Sequence, residues 1–551
     1  MKPRRLRCLI IQFAKLGDTL QSLMALRAAK QLYPELEIHF LAREAFADAA
    51  RRVPWLSGVW TLPSNDLIAA DDTTAIKATA EWLRPLVAEP WDFVVNWTFS
   101  ESSSYLTALI PARIKLGYSR KPDRSISALD GWAQYVQGIV QSGVRQNIHL
   151  TDILTTQLLT ALQIQVGDPL DEGNSPVSSK GFFALAPDER DLGTAWRDPA
   201  RKWIGIQLGA GVDRKAWSPR AFAQFVELIL SRSPEYHVLL MGGAKDKGRE
   251  KEFYDALPVH ILKSQGHPGG LGSKLLSVVG ETSFERWASL VSRCHWIVAA
   301  DTAVIHLASV LGTRVLNLSL GGVRYGETGP YGNGHYVLAP KTGIESLSAE
   351  AAYGVWSYGV SEWAHRRQLP IEHHFRHLGL IDALGPVCVY RSRIRSTTDG
   401  GGVVYDPVSR IPITLADWSA KVYGHVARAW YCGWVPTVGG EVERASMTSE
   451  LIKELRQLDE SCTVMSQCLG QARRTADSLK SRSHRLKSSK VMDLSAREEL
   501  NRLGLKLVEI DGLIARVATT STMLAGFTQM LRVLMHNLDG NELSEIGKAA
   551  G

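Results

Sequence analysis

Residues 296–332 constrain the fold more than any other stretch, because they join a buried strand, a polar turn, a helix and a second strand. The elements are a strand at 297–300, a helix at 303–311 and a strand at 313–320. This pattern predicts a βαβ unit. Ligands of open α/β sheets lie beyond the carboxyl ends of strands, so Asp301, Thr302 and His306 are candidate binding residues. The alternative is that Asp301 and Thr302 only cap the helix.

The size and composition indicate a soluble protein of two to four domains, because 551 residues are too many for one core. Hydrophobic residues make up 45% of the chain and charged residues 22%. A net charge of +7 suits an anionic nucleotide, a phosphorylated glycan or a membrane surface, and we expect no nucleic acid partner. The six cysteines form no CxxC pair, which predicts a reducing compartment and no cysteine-based metal site.

The amino terminus has a short apolar run, residues 8–14, which predicts a first β-strand rather than a signal peptide. No stretch reaches the roughly 18 apolar residues of a membrane span. We therefore expect a cytoplasmic protein without a transmembrane segment. Peripheral contact with the inner face of the membrane is a further expectation.

A second βαβ unit opens the chain, with a strand at 6–13 and a helix from about 19 to 33. Asp18 lies where the strand gives way to the helix, so it faces the predicted cleft. Its carboxylate is either the N-cap of the helix or a base for an attacking hydroxyl. Lys15 in the same turn is either a phosphate contact or a solvated charge.

Residues 112–124 carry a cluster of positive charge around a Gly-Tyr pair, after a strand predicted at 93–97. We expect this segment to be a loop. Four of its side chains are candidates for binding an anionic acceptor: Arg113, Lys115, Arg120 and Lys121. The alternative is an ordinary solvated surface.

The strand and helix pattern restarts after a polar linker at about 166–181. The elements are a strand at 203–208, a loop at 209–219, a helix at 220–230 and a strand at 237–241. Two successive halves of this kind predict two facing Rossmann-like domains. The glycine-rich loop lacks the third glycine of a dinucleotide-binding motif.

Six segments resemble glycosyltransferase family 9, the ADP-heptose heptosyltransferases of lipopolysaccharide core assembly and their relatives. In order they are GDTLQSLMALRAAKQLYP, LGAGVDRKAWSP, GGAKDKGREKEF, VVGETSFERWASLVSRC, AADTAVIHLASVLGTRVLNL and TGPYG. They extend over residues 6 to about 338. Each motif is weak alone, and the six in order are specific.

The resemblance implies a GT-B fold and an inverting transfer that needs no cofactor or metal. It implies that Asp18 is the catalytic base and that Lys215 binds the donor diphosphate. The nucleotide-sugar-binding residues that it implies are Gly209, Lys215, Asp301, Thr302, His306 and Gly329. The expected donor is ADP-heptose, and the expected acceptor is a glycan of the lipopolysaccharide core or a protein. Ala303 departs from the glycine common in the family.

Two alternatives to this function remain at this point. One is a family member that uses a different nucleotide sugar. The other is a non-catalytic GT-B-like scaffold that acts through its C-terminal helices.

The last two fifths of the chain have no counterpart in this resemblance. Residues 346–440 are rich in aromatics, and His373 and His377 have the i, i+4 spacing of metal ligands without a matching carboxylate set. From residue 441 onward, heptads predict a coiled coil or long α-helical hairpin. We expect its residues 441–538 to mediate an oligomer or bind a partner, and the alternative is a strut that packs on the chain's own domains.

These observations predict four regions. They are an acceptor domain at 1–175, a nucleotide-sugar-binding domain at 182–345, an aromatic-rich extension at 346–440 and a helical hairpin at 441–551.

Overall fold

A computed structural model describes the parts of the chain that carry the predicted Rossmann-like pattern. The described residues are 5–62, 72–142, 147–162, 182–185, 196, 198, 200–264, 274–340, 346–365, 370–385, 387–395, 402–409, 478 and 481. The predicted linker at 166–181 and the predicted helical hairpin, apart from two single positions, lie outside them.

The chain divides into two compact units. One comprises Met1–Gln134 with Arg145–Trp434, and the other comprises Tyr135–Val144 with Val435–Gly551. All the described strands belong to the first unit.

A six-stranded sheet organises the first lobe of this unit. Its strands are β1 (Arg7–Gln12), β2 (Glu37–Arg43), β3 (Gly58–Leu62), β4 (Trp91–Asn96), β5 (Ala112–Arg120) and β6 (Ile126–Ala128). Their order is β3-β2-β1-β4-β5-β6, and all neighbouring pairs are parallel except β5 with β6. The central strand β1 has four apolar residues among its six and is buried over five of them, as expected for a parallel strand covered on both faces.

Helices follow the strands of the first lobe. They are α1 (Leu16–Leu32), α2 (Ala47–Arg51), α3 (Asp72–Val87), α4 (Glu101–Leu109), α5 (Gly131–Ser142) and α6 (Leu150–Ala161). A 3₁₀ turn, Glu44–Phe46, joins β2 to α2.

The prediction of a loop at 112–124 is wrong over most of the segment, because its first nine residues form β5. Backbone pairing with β4 outweighs the low strand propensity of charged side chains. Gly117 has φ of +81°, and a Cβ there would lie 1.8 Å from the Asn96 carbonyl oxygen. Only glycine fits this close approach of two backbones.

An eight-stranded sheet organises the second lobe. Its strands are β7 (Lys202–Gln207), β8 (Tyr236–Met241), β9 (Leu275–Ser277), β10 (Trp296–Ala300), β11 (Arg314–Leu318), β12 (Tyr336–Pro340), β13 (Val387–Ile394) and β14 (Val403–Pro407). The order β14-β13-β12-β11-β10-β7-β8-β9 contains the six-strand Rossmann arrangement, with β7 beside β10 where the strand order reverses.

The helices of the second lobe follow the same alternation with the strands. They are α7 (Pro219–Arg232), α8 (Lys247–Ala256), α9 (Val259–Ser264), α10 (Phe284–Arg293), α11 (Ala303–Leu311), α12 (Tyr325–Thr328), α13 (Ala349–His365) and α14 (Ile371–His377). Short 3₁₀ turns occur at Asp213–Lys215, Ala244–Asp246 and Ile381–Leu384.

The described part of the aromatic-rich extension continues the second sheet. Strand β13 pairs antiparallel with β12, β14 pairs with β13, and α13 packs against α7. Several of its aromatic side chains, among them Tyr353 and Trp356, are buried in that lobe's core. The division of the chain into the four predicted regions stays a prediction.

The two lobes share one hydrophobic core cluster, which contains Leu23 of α1 and Ile305 of α11. Helix α1 packs directly against α11. Of the helices within the described ranges, none is both long and apolar enough to cross a membrane.

Candidate functional site

The second sheet brings two predicted donor-binding residues together at its switch point. Lys215 follows β7, Asp301 follows β10, and the two strands are neighbours. The Lys215 ammonium donates to Asp301 Oδ2 at 2.8 Å, with side chains 28% and 11% exposed. A partly buried cation and carboxylate therefore lie where open α/β sheets bind ligands.

Two buried polar atoms beside this pair have no hydrogen-bond partner in the described part of the chain. They are Thr302 Oγ1 and His306 Nδ1. Thr302 is the N-cap of α11 but its side chain makes no capping bond, so the capping alternative does not hold for it. Buried polar groups without partners are rare in folded proteins, and a bound ligand is one way to satisfy them.

His306 is held in its neutral form by its surroundings. Burial lowers its pKa to about 3, and the nearby His149 and Lys215 add to this effect. At neutral pH its ring therefore offers one donor and one acceptor rather than a positive charge.

Asp18 belongs to the first turn of α1, because the helix begins at Leu16, earlier than expected. Its Oδ2 accepts from the backbone N–H of Lys15, the N-cap residue, at 3.1 Å. Burial raises the pKa of the Asp18 carboxyl, the hydrogen bond from Lys15 opposes this, and the charge of Asp301 adds to the increase. Asp18 is thus partly buried and lies near Asp301 of the second lobe.

The first turn of α1 approaches α11 closely. A Cβ placed on Gly17 would lie 3.2 Å from His306 Cδ2. The structure therefore brings Asp18 of the first lobe next to the His306 helix of the second.

A cleft of about 420 Å³ lies beside these residues, a size within the range of small-molecule sites. Its second-lobe wall follows the carboxyl ends of β7, β8, β9 and β10. Residues of this wall include Gly209, Gly211, Gly243, Lys245, Thr282, Phe284, Trp287 and Thr302. The first lobe contributes Leu16, Ala45, Phe46, Asp48 and Ala49.

Of the predicted donor-binding residues, Gly209 and Thr302 line this cleft, whereas Lys215, Asp301, His306 and Gly329 are not part of its lining. Gly329 joins the two lobes. Its carbonyl oxygen lies 2.9 Å from His149 Nε2 of the first lobe. The His149 Nδ1 accepts from Thr151 N, so Nε2 carries the proton and donates to Gly329.

The four predicted acceptor-binding residues lie on or directly after β5 in the first lobe. The Lys215–Asp301 pair belongs to the second lobe. Arg113 and Lys121 are exposed. Lys115 Nζ donates to Ala108 O at 2.9 Å, and Arg120 stacks over the Tyr105 ring at 4.5 Å. These contacts are local to the first lobe.

Sequence reasoning did not single out Lys245, Asp246 and Phe46. Asp246 Oδ2 accepts from Gly243 N at 2.8 Å, and Lys245 Nζ donates to Ala210 O at 3.1 Å. All three follow the carboxyl ends of buried strands, β8 for the first two and β2 for Phe46. A position just after the carboxyl end of a buried strand is the sequence signal that could have identified them as cleft residues.

Groups of three or more metal-ligating side chains are absent from the part of the chain that the structure describes. His373 and His377 lie on α14 and are exposed. Their neighbour His374 bonds to the Ser357 hydroxyl at 2.8 Å.

Two Rossmann-like lobes with a cleft at the carboxyl ends of their parallel strands are the arrangement of a GT-B fold. The family model of glycosyltransferase family 9 (heptosyltransferase) matches residues 80–346. The resemblance predicted from the motifs is confirmed over those residues, where the chain is similar to the heptosyltransferases of that family.

Curated relatives share this description at low identity. The lipopolysaccharide core heptosyltransferase OpsX of Haemophilus influenzae is 19% identical over 314 residues, which cover 56% of this chain and 77% of the relative. The lipooligosaccharide heptosyltransferase 2 of the same organism is 25% identical over 131 residues, covering 24% and 33%.

Comparison with solved structures finds the Escherichia coli heptosyltransferase WaaC with ADP, at 18% identity and a TM-score of 0.49. The similarity covers 100% of the WaaC chain and 64% of this chain. A family 9 glycosyltransferase of Veillonella parvula has 17% identity and the same TM-score, with 66% of this chain and 99% of that chain covered.

Gly209→Ala should destabilise the protein by about 1–3 kcal/mol, the usual cost of overpacking. A Cβ at Gly209 would lie 2.1 Å from Asp246 Oδ1, a carboxylate fixed by Gly243. Chemical denaturation gives the free energy of unfolding. Gly211→Ala in the same loop is the matched control, because a Cβ there meets nothing within 4 Å. Equal stability of the two variants would contradict this packing argument.

Proposed function

We propose that this protein transfers heptose from ADP-heptose to a glycan of the lipopolysaccharide core, with inversion at the anomeric carbon and without a metal ion. The observation that carries the proposal is the Lys215–Asp301 pair at the second sheet's switch point, close to Asp18 of the first lobe. The curated relatives are described as lipopolysaccharide and lipooligosaccharide heptosyltransferases, which supports the choice of donor and acceptor.

In the proposed reaction the Asp18 carboxylate removes the proton of the acceptor hydroxyl. The hydroxyl oxygen then forms a bond to the anomeric carbon while the bond from that carbon to the diphosphate oxygen breaks. The electron pair leaves with the diphosphate. A single displacement of this kind inverts the configuration and needs no covalent intermediate with the enzyme.

Lys215 is proposed to stabilise the negative charge that grows on the departing diphosphate. Its ammonium pairs with Asp301, so a diphosphate at this position competes with that carboxylate for the same cation. Asp301, Thr302 and the neutral His306 are proposed to bind hydroxyl groups of the sugar. This role would satisfy the two buried atoms that have no partner in the described residues.

The basic residues of β5 are proposed to bind an anionic acceptor or its membrane surroundings. Exposed apolar side chains, Tyr105 and Leu109 of α4 and Ile114 of β5, lie among them. A mixture of apolar and cationic side chains suits a peripheral contact with an anionic surface. We therefore propose that the protein is located peripherally at the inner face of the membrane.

The rate of transfer should fall as the pH falls through the raised pKa of Asp18, because the protonated carboxyl cannot accept a proton. Burial raises this pKa above the ordinary 3.8, so the acidic limb of kcat/KM should lie above that value. A pH–rate profile measures it. His306, with a pKa of about 3, titrates lower and is not the source of such a limb. A limb at or below 3.8 would contradict the effect of burial.

Asp18→Asn should lower kcat by about 10²–10⁴-fold and leave the affinity for ADP nearly unchanged. The base acts on the acceptor hydroxyl and not on the nucleotide. Transfer assays with ADP-heptose and a lipopolysaccharide core acceptor, or a protein acceptor, give kcat, and calorimetry gives the ADP affinity. A variant that keeps more than about a tenth of the rate is incompatible with a general base.

Lys215→Ala should weaken ADP binding and lower kcat, each by about tenfold or more, since a lysine on a diphosphate gains interaction as charge develops. Calorimetric titration with ADP and a transfer assay measure the two effects. Lys251→Ala, on the exposed face of α8, makes the same charge change away from the cleft. If both variants bind ADP equally well, Lys215 has no part in donor binding.

A further inference from the structure

The cleft has a wall in the first lobe as well as in the second. Phe46 and Asp48 line it; Phe46 ends the 3₁₀ turn after β2, and Asp48 lies in the first turn of α2. The carboxyl end of β2 lies at the same edge of the first sheet as that of β1, after which Asp18 occurs. A ligand in the cleft therefore contacts both lobes.

The lining of the cleft differs in chemistry from place to place. Aromatic rings line it at Phe46, Phe284 and Trp287. Backbone of two glycine-containing loops, 209–211 and 242–243, lines it together with polar side chains. Aromatic rings suit a nucleobase, whereas backbone N–H groups and ammonium groups suit a diphosphate.

The second-lobe rings that line the cleft, Phe284 and Trp287, pack against other aromatic rings. Within the described ranges, the Phe46 ring of the first lobe is not packed in this way. Phe284 pairs edge-on with Phe183 at 5.6 Å, and Trp287 packs against Phe284 at 6.3 Å. Phe46 is half-buried and belongs to none of the hydrophobic core clusters among the described residues. Its ring is thus available to a ligand.

The backbone that carries Phe46 is nonetheless held against the second lobe. Helix α2 packs on α10, and Arg52 just after α2 pairs with Glu285 of α10 at 2.8 Å. The Arg52 carbonyl also accepts from Ala184 N at 2.7 Å, beside Phe183. The backbone at Phe46, which directly precedes α2, is therefore held at the wall of the same cleft that Phe284 lines.

We propose that Phe46 is a donor-binding residue that stacks on the nucleobase of the donor from the first lobe. The inference rests on the proposed function, because it assumes that the cleft binds a nucleoside diphosphate. Nucleotide binding then requires both lobes, and the first lobe is not reserved for the acceptor.

The test compares a ligand with a base and a ligand without one. Full-length wild-type protein and Phe46→Ala are titrated with ADP and with inorganic pyrophosphate by calorimetry. We expect Phe46→Ala to weaken ADP binding by about tenfold, the usual effect of losing one base-stacking ring, and to leave pyrophosphate binding unchanged. Phe46→Tyr keeps the ring and should bind ADP like the wild type.

Phe99→Ala is the matched control, because Phe99 is a 54% exposed phenylalanine of the first lobe that does not line the cleft. If Phe46→Ala binds ADP as the wild type does, or loses ADP and pyrophosphate equally, the inference is wrong. If wild-type protein binds no nucleoside diphosphate at all, the proposed function itself is wrong. If Phe46→Ala is unfolded by circular dichroism, Phe46→Leu replaces it, and tenfold weaker ADP binding is again expected.

Discussion

The Asp152 carboxylate is the contact on which the arrangement of the two lobes depends. It lies in the first turn of α6, is 8% exposed, and accepts from the Tyr331 hydroxyl at 2.8 Å and from the Val403 backbone at 3.1 Å. Both partners belong to the second lobe. Each hydrogen bond to a charged group contributes about 1.5–3 kcal/mol, and a buried carboxylate without partners is strongly unfavourable. The neighbouring bond from His149 to Gly329 adds a second link to the same loop.

These links position the proposed chemistry. Helix α6 packs against α1, which carries Asp18, and α1 packs against α11, which carries His306. Binding α6 to the second lobe therefore also sets the distance between Asp18 and the Lys215–Asp301 pair. The bonds at Asp152 and Gly329 join the two lobes, so we expect them to act on transfer through position.

The electrostatics of the site follow from its burial between the lobes. Removal from water raises the pKa of Asp18 and keeps His306 neutral, while Lys215 Nζ lies 2.8 Å from Asp301 Oδ2. A more basic carboxylate is a better acceptor for a hydroxyl proton. The same partial exclusion of water that costs folding energy thus prepares the groups for the proposed transfer.

The sequence alone determined the βαβ units, the position of Asp301 and Thr302 after a buried strand, and helix α11, whose observed bounds are the predicted ones. Hydrophobic periodicity and helix-ending glycines depend only on neighbouring residues, so one stretch of sequence is enough to predict these elements. Only the tertiary structure decided that β5 is a strand, that His149 bonds to Gly329 and that Phe46 lines the cleft. These features depend on contacts between residues far apart in sequence, and no local pattern specifies such partners.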